Sequence, residues 1–155
     1  MKRVCQELGG KSPLIITADA DLEAALRYGV KDVMLNSGQT CNALTRMLLP
    51  RSRYAEAVEM ARQAAEENVV GDPNDPRVTM GPMASAAQKK TVLEYIRKGM
   101  AEGARLVTGG MDMPPGLEVG AYVRPTILAD VSNEMVVARE EIFGPVLCLL
   151  AYDDI

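Results

Sequence analysis

The 155-residue chain contains no histidine and no tryptophan, one phenylalanine and three cysteines. Each scarcity removes a class of function. Without histidine there is no Ser-His-Asp triad, no Cys-His pair and none of the commonest metal ligand, so any nucleophile must be activated by other groups. Cys5, Cys41 and Cys148 are odd in number, far apart and without CxxC spacing. That pattern argues against a disulfide framework and a zinc knuckle, and it leaves at least one thiol free. No metal is expected. The 17 basic and 21 acidic residues give a net charge of -4 with no long basic run. With so little aromatic surface for stacking, nucleic acid is not an expected partner. No apolar run is long enough to cross a bilayer, and the opening MKRVCQELGGK lacks the apolar core of a signal peptide. The expectation is a cytoplasmic protein with no membrane partner.

What is present is ordinary globular composition, 48% hydrophobic and 25% charged, at a length that suits one domain. Lys2 to Glu7 and Leu14 to Thr17 read as short strands separated by Gly9-Gly10 and Pro13. Asp19 and Asp21 offer N-cap chemistry for a helix built on Leu22, Ala25, Leu26, Val30, Val33 and Met34, which stops near Asn36-Ser37-Gly38. A strand at Thr45 to Leu49 precedes a helix from about Arg53 to Asn68, whose Ala57, Met60, Ala61, Ala64 and Ala65 share one side. After turn chemistry at Gly71 to Pro76, a third helical pattern over Ser85 to Gly103 rests on Val92, Leu93, Ile96 and Met100. Arg105 to Val107, Tyr122 to Leu128 and Val146 to Tyr152 read as strands, the last apolar enough to be buried on both faces. Strands alternating with long helices predict an α/β fold with a mostly parallel open sheet and flanking helices. The chain stops directly after a buried-looking strand and reads as cut.

Three segments carry residues capable of chemistry. In Asn36-Ser37-Gly38-Gln39-Thr40-Cys41-Asn42-Ala43 a glycine-containing loop follows a helix and delivers Cys41, with Thr40 a candidate cap for a short helical turn starting there. A thiol is only slightly ionised at neutral pH, so a catalytic cysteine needs a base, a cation or helix N-terminal amides nearby. The ordinary reading of a free cysteine is a small hydrophobe, and it is preferred for Cys5 and Cys148, which sit in apolar strand patterns. Glu7, in Gln6-Glu7-Leu8-Gly9-Gly10-Lys11-Ser12-Pro13, ends a predicted strand, and in α/β folds strand carboxyl ends face the ligand crevice. Glu140-Glu141-Ile142-Phe143-Gly144-Pro145 sets two carboxylates and the only phenylalanine at a turn, where a solvated surface is the default reading.

Taken in this order, ELGGKSP (Glu7 to Pro13), NSGQTC (Asn36 to Cys41) and EEIFGPV (Glu140 to Val146) resemble the aldehyde dehydrogenase superfamily. The stretches between them, including Gly81-Pro82 and Arg124-Pro125-Thr126, extend the resemblance over effectively the whole chain. The resemblance implies NAD(P)-dependent oxidation of a small-molecule aldehyde to a carboxylic acid. Cys41 would attack the carbonyl, the thiohemiacetal would pass hydride to the nicotinamide, and Glu7 would activate water to hydrolyse the resulting thioester. By the same resemblance Glu141 matches the residue that hydrogen-bonds the nicotinamide ribose, Phe143 an aromatic near that ring, and Gly9 a backbone contact to it.

Full-length members also carry an N-terminal dinucleotide-binding domain and a C-terminal end that helps build the oligomer. On that pattern residues 1–10 are the end of the dinucleotide-binding domain or a connecting strand, and 11–155 a partial catalytic domain truncated at both ends. The cofactor is NAD or NADP, and a homo-oligomer is expected of the full-length parent. The isolated chain is expected to have negligible dehydrogenase activity. Two alternatives stay open: a truncated, non-oxidising fragment serving as an inactive or interaction product, and an acylating relative that uses coenzyme A, which the presence of Glu7 disfavours.

Overall fold

The apolar run Val146–Tyr152 forms strand β5 in the interior of a five-stranded sheet ordered β1-β2-β5-β4-β3. The structure is a computed structural model that describes residues 1–154. The other strands are β1 (Pro13–Ile15), β2 (Arg46–Pro50), β3 (Arg105–Thr108) and β4 (Thr126–Ala129). Helices α1 (Leu22–Met34), α2 (Tyr54–Glu66), α3 (Ala86–Ala101) and the single turn α4 (Val136–Arg139) flank them. β1, β2, β5 and β4 are mutually parallel, and only β3 runs antiparallel, against β4. The mostly parallel α/β sheet expected from the sequence is therefore the observed one.

Alternate residues of β5 and β4 feed two cores. Leu147, Leu149, Ile127 and Ala129 face α1 and α2, whereas Val146, Cys148, Leu150 and Leu128 face the side of α3 and α4. Burying each large aliphatic side chain contributes about 1.5–3 kcal/mol, which makes these two layers the main source of cohesion. Helix α1 starts where the Asp21 side chain accepts from Ala24 N at 3.1 Å, and it lays Leu22, Leu26, Val30, Val33 and Met34 on the sheet. Helix α2 packs alongside through buried Ala57, Ala61, Ala64 and Ala65. Ser85 caps α3, which buries Val92, Ile96 and Gly99 but leaves Met100 exposed, contrary to the sequence pattern. Met100 lies one residue past the buried stripe, and Gly99 occupies the close approach to Val137 and Leu128.

Two strand expectations need correction. Lys2 to Glu7 forms no strand: this segment pairs with no strand among the described residues and every one of its side chains is exposed, Cys5 included. A lone extended segment has no ladder in which to satisfy its backbone, so alternation of side chains is not enough to make it a strand. The expected strand over Tyr122 to Leu128 begins only at Thr126, because Pro125 immediately precedes the ladder and cannot donate to it. No helix among the described residues is long and apolar enough to cross a membrane.

Candidate active site

The three motif segments are far apart in sequence yet enter neighbouring strands. ELGGKSP leads into β1, NSGQTC into β2 and EEIFGPV into β5, and β1, β2 and β5 are consecutive and parallel in the sheet. Their loops must therefore emerge side by side at one end of the sheet. That end is the amino end of the strands, which corrects the expectation that Glu7 stands at a strand's carboxyl end facing a crevice. Glu7 precedes β1 in irregular, exposed chain.

The Cys41 loop is built stiffly at its entry. Asn36, Ser37 and Gly38 are consecutive left-handed residues, with φ of 51°, 56° and 71°. Such a run reverses the chain directly after α1 and is costly for residues with a Cβ unless the surroundings hold them. Ser37 is buried and its hydroxyl donates to the Gly81 carbonyl at 2.8 Å. Asn36 Nδ2 donates to the Gln39 carbonyl at 3.0 Å, and Gln39 Oε1 accepts from Ala84 N at 2.9 Å. Gly38 lies so close to the Gly144 carbonyl that a Cβ there would collide with it, which locks NSGQTC to the Gly144-Pro145 turn before β5.

The exit is fastened as well. Ala43 N donates to the Thr40 carbonyl at 3.2 Å, and Leu44 N donates to the Asp32 carboxylate of α1 at 2.9 Å. Cys41 and Asn42 form a turn and not the short helix whose cap Thr40 was expected to supply. The chain must descend at once into β2, where Thr45 already accepts from Cys148 N at 3.0 Å, so there is no length for a helical turn. Cys41 itself is exposed, and its backbone N–H has no partner among the described residues. Cys148 is buried in β5, where loss of hydration pushes its thiol pKa up.

Gly9-Gly10 is where the three segments meet. Gly10 N donates to Glu141 Oε1 at 3.1 Å, across 131 residues of sequence. A Cβ on Gly10 would lie 2.8 Å from the Cys41 carbonyl oxygen, and one on Gly9 would collide with the Glu141 carboxylate. Both glycines are there for close approach. Glu7 is three residues upstream of Gly10, so their Cα atoms are at most about 11 Å apart. Phe143 adopts a left-handed φ of 57° and remains partly exposed, its carbonyl and that of Ile142 accepting from Gln88 Nε2 at 2.9 and 3.1 Å. Glu140, the neighbour of Glu141, is taken up by the Tyr95 hydroxyl at 2.7 Å.

Asp32, Gln88 and Lys11 were not singled out from the sequence. Asp32 and Gln88 sit among the polar residues of α1 and α3, where nothing distinguishes a fastening side chain from a solvated one. Lys11 lies inside ELGGKSP, yet its role is visible only in three dimensions: its Nζ is buried without a hydrogen-bond partner among the described residues. Burial lowers its pKa, with Cys148 and Glu141 opposing that shift and Arg46 adding to it.

Comparison with known proteins matches residues 1–155 to the Aldehyde dehydrogenase family. A 3-succinoylsemialdehyde-pyridine dehydrogenase of a Pseudomonas species is 51% identical over 99% of this chain and 32% of its own length. A betaine aldehyde dehydrogenase of Sinorhizobium fredii is 47% identical, again over 99% of this chain and 32% of its own. Among solved structures, aldehyde dehydrogenase C of Pseudomonas syringae, a cysteine-to-alanine mutant complexed with NAD+ and octanal, superposes with a TM-score of 0.96. It is 50% identical, over 99% of this chain and 32% of that one. The chain thus spans about a third of the length of the relatives it matches, and it belongs to the aldehyde dehydrogenase family.

Proposed function

We propose that these residues serve an NAD(P)-dependent aldehyde dehydrogenase in which Cys41 is the nucleophile and Glu7 the general base. Cys41 Sγ adds to the aldehyde carbon to give a thiohemiacetal, and the unpartnered Cys41 N–H is a donor for the oxyanion that develops. A bound nicotinamide cofactor would supply a hydride acceptor for oxidation of this adduct to a thioester, the hydroxyl proton going to solvent. Glu7 then takes the proton of the water that attacks the thioester, freeing the acid and restoring the thiol.

The residues fit the nicotinamide-ribose half of such a cofactor. Glu141 keeps Oε2 without a hydrogen bond among the described residues, Gly9 presents backbone without a side chain, and the Phe143 ring is partly exposed beside them in sequence. In this reading residues 1–10 end a dinucleotide-binding unit, and 11–155 belong to the catalytic one. The setting is cytoplasmic, the substrate is a small aldehyde, and the complete enzyme is a homo-oligomer. The observation that carries the reading is the meeting at Gly9-Gly10, which brings the segments of Glu7, Cys41 and Glu141 into contact.

The test follows reduction of NAD and NADP with a panel of aldehydes by a protein spanning the full length of the relatives with this sequence as its segment, and by its Cys41→Ala variant. Turnover that disappears in the variant is expected; turnover that survives removal of Cys41 would refute the assignment. The 155-residue chain alone is expected to show negligible turnover.

A further inference from the structure

Between Gln39 and the start of β2 at Arg46 the backbone that carries Cys41 has few ties. Ala43 N donates to the Thr40 carbonyl at 3.2 Å and Thr45 N to the Ala43 carbonyl at 2.9 Å, and both bonds are internal to the turn. From Thr40 to Leu44, the hydrogen bond among the described residues that reaches another element is the one from Leu44 N to Asp32 Oδ2 of α1, at 2.9 Å. Asp32 is a poor choice for its own helix. It stands in the last turn of α1, where the C-terminal carbonyls repel a carboxylate and aspartate has low helix propensity. The residue is half-buried, and its carboxylate has no ion pair or second hydrogen bond among the described residues. What Asp32 contributes is therefore the bond to Leu44.

We propose that Asp32 is a positioning residue for Cys41. By holding Leu44 N–H it fixes the turn from Thr40 to Leu44 against α1, and it thereby keeps the Cys41 N–H aimed at the oxygen of a carbonyl whose carbon Sγ attacks. The bond runs from a backbone N–H to a carboxylate, which makes it stronger than a neutral one. The Thr40–Ala43 turn bond closes the chain between Leu44 and Cys41, so a displacement at one end is carried to the other. Removing Asp32 leaves the thiol exposed but misplaces the donor, and a misplacement of about 1 Å is enough to cost on the order of a hundredfold in rate. This role rests on the reading of Cys41 as the nucleophile; the bond from Leu44 to Asp32 does not.

Two reagents separate the position of the donor from the exposure of the thiol. With p-nitrophenyl acetate, Sγ adds to the ester carbonyl, an oxyanion forms, and its collapse expels p-nitrophenolate and leaves an acetyl thioester. With iodoacetamide, Sγ displaces iodide from a saturated carbon and no oxyanion forms. Both rates at Cys41 are measured by mass spectrometry in the 155-residue chain and its Asp32→Ala, Asp32→Asn and Asp32→Ser variants, with exposed Cys5 as the reference thiol. Amide exchange of Leu44 is followed by NMR in the same samples. In Asp32→Ala, acetylation of Cys41 relative to Cys5 is expected to fall at least about tenfold while alkylation stays within about twofold, and Leu44 exchange to rise about fivefold. Asp32→Asn keeps a side-chain oxygen for Leu44 N–H and recovers most of the acetylation. Asp32→Ser, whose hydroxyl stops one bond short of the carboxylate oxygens, behaves like Asp32→Ala, and it decides the matter if Asp32→Ala fails to fold by circular dichroism. Wild-type acetylation in folded Asp32→Ala or Asp32→Ser, or a parallel loss of acetylation and alkylation, would overturn the positioning role alone. A wild-type Cys41 acetylated no faster than Cys5 would instead refute the reading of function, and the role with it.

Discussion

The proposed nucleophile and the proposed base ride on segments built in opposite ways. Cys41 sits at the end of a loop with three left-handed residues, a buried serine, and fastenings to Gly81, Ala84, Gly144 and Asp32. Glu7 sits on exposed chain whose nearest cross-chain tie is the bond from Gly10 to Glu141. A thiol proposed to attack a carbonyl carbon must meet it at bonding distance, which a stiff loop favours. Among the described residues the two segments therefore differ in the number of bonds that hold them.

The comparison breaks most readily at Gly38. Its φ of 71° and its contact with the Gly144 carbonyl leave no space for a side chain, so Gly38→Ala should lose about 3 kcal/mol of stability in urea unfolding. A loss under about 1 kcal/mol would mean that the loop is not locked. Ser37→Ala removes a buried hydrogen bond and leaves the Gly81 carbonyl short of one donor, at an expected cost of about 1–2 kcal/mol in the same experiment.

Lys11 adds to the contrast, because the motif that carries Glu7 also buries an amine with no hydrogen-bond partner among the described residues. Lys11→Met should be more stable than wild type by about 1 kcal/mol at neutral pH, where the buried ammonium is a liability. The pH dependence gives the sign independently. With its folded pKa below the ordinary 10.5, the unfolded chain binds more protons between those two values, so Lys11 makes stability rise with pH across that window. Cys148 acts in reverse: its thiol pKa lies above the ordinary 9.0, and its contribution is full below 9.0 and fades as pH climbs toward the folded value. Subtracting the Lys11→Met profile from that of wild type isolates the rising component, and a flat difference would contradict it. The smallest effect is expected at Glu7, where Glu7→Gln should change stability by less than about 0.5 kcal/mol because the side chain is exposed.

Much of this was legible in the sequence. The apolar run Val146–Tyr152 and the 3.6-residue stripe of Leu22, Leu26, Val30 and Val33 announce their burial because periodicity is a local property. Glu7, Cys41, Glu141 and Phe143 are proposed as site residues only through the resemblance, since taken singly each has an unremarkable reading. Lys2 to Glu7 misled because alternation cannot say whether a partner strand exists. That the three motifs lie side by side follows from strand order, which no single segment encodes. Asp32 and Gln88 were invisible for a related reason: a polar side chain becomes a fastening only when a distant backbone group arrives beside it.

Acyl transfer tests, without a cofactor, both the covalent chemistry proposed for Cys41 and the hydrolysis proposed for Glu7. The 155-residue chain and its Glu7→Gln variant would be mixed with p-nitrophenyl acetate, and the acetylated cysteine and its lifetime followed by mass spectrometry. The account predicts acetylation at Cys41 ahead of Cys5, although both are exposed, and a thioester that persists about a hundredfold longer in Glu7→Gln, the lower range of general-base contributions. Equal acetylation of Cys5 and Cys41, or the same thioester lifetime with and without the Glu7 carboxylate, would contradict it.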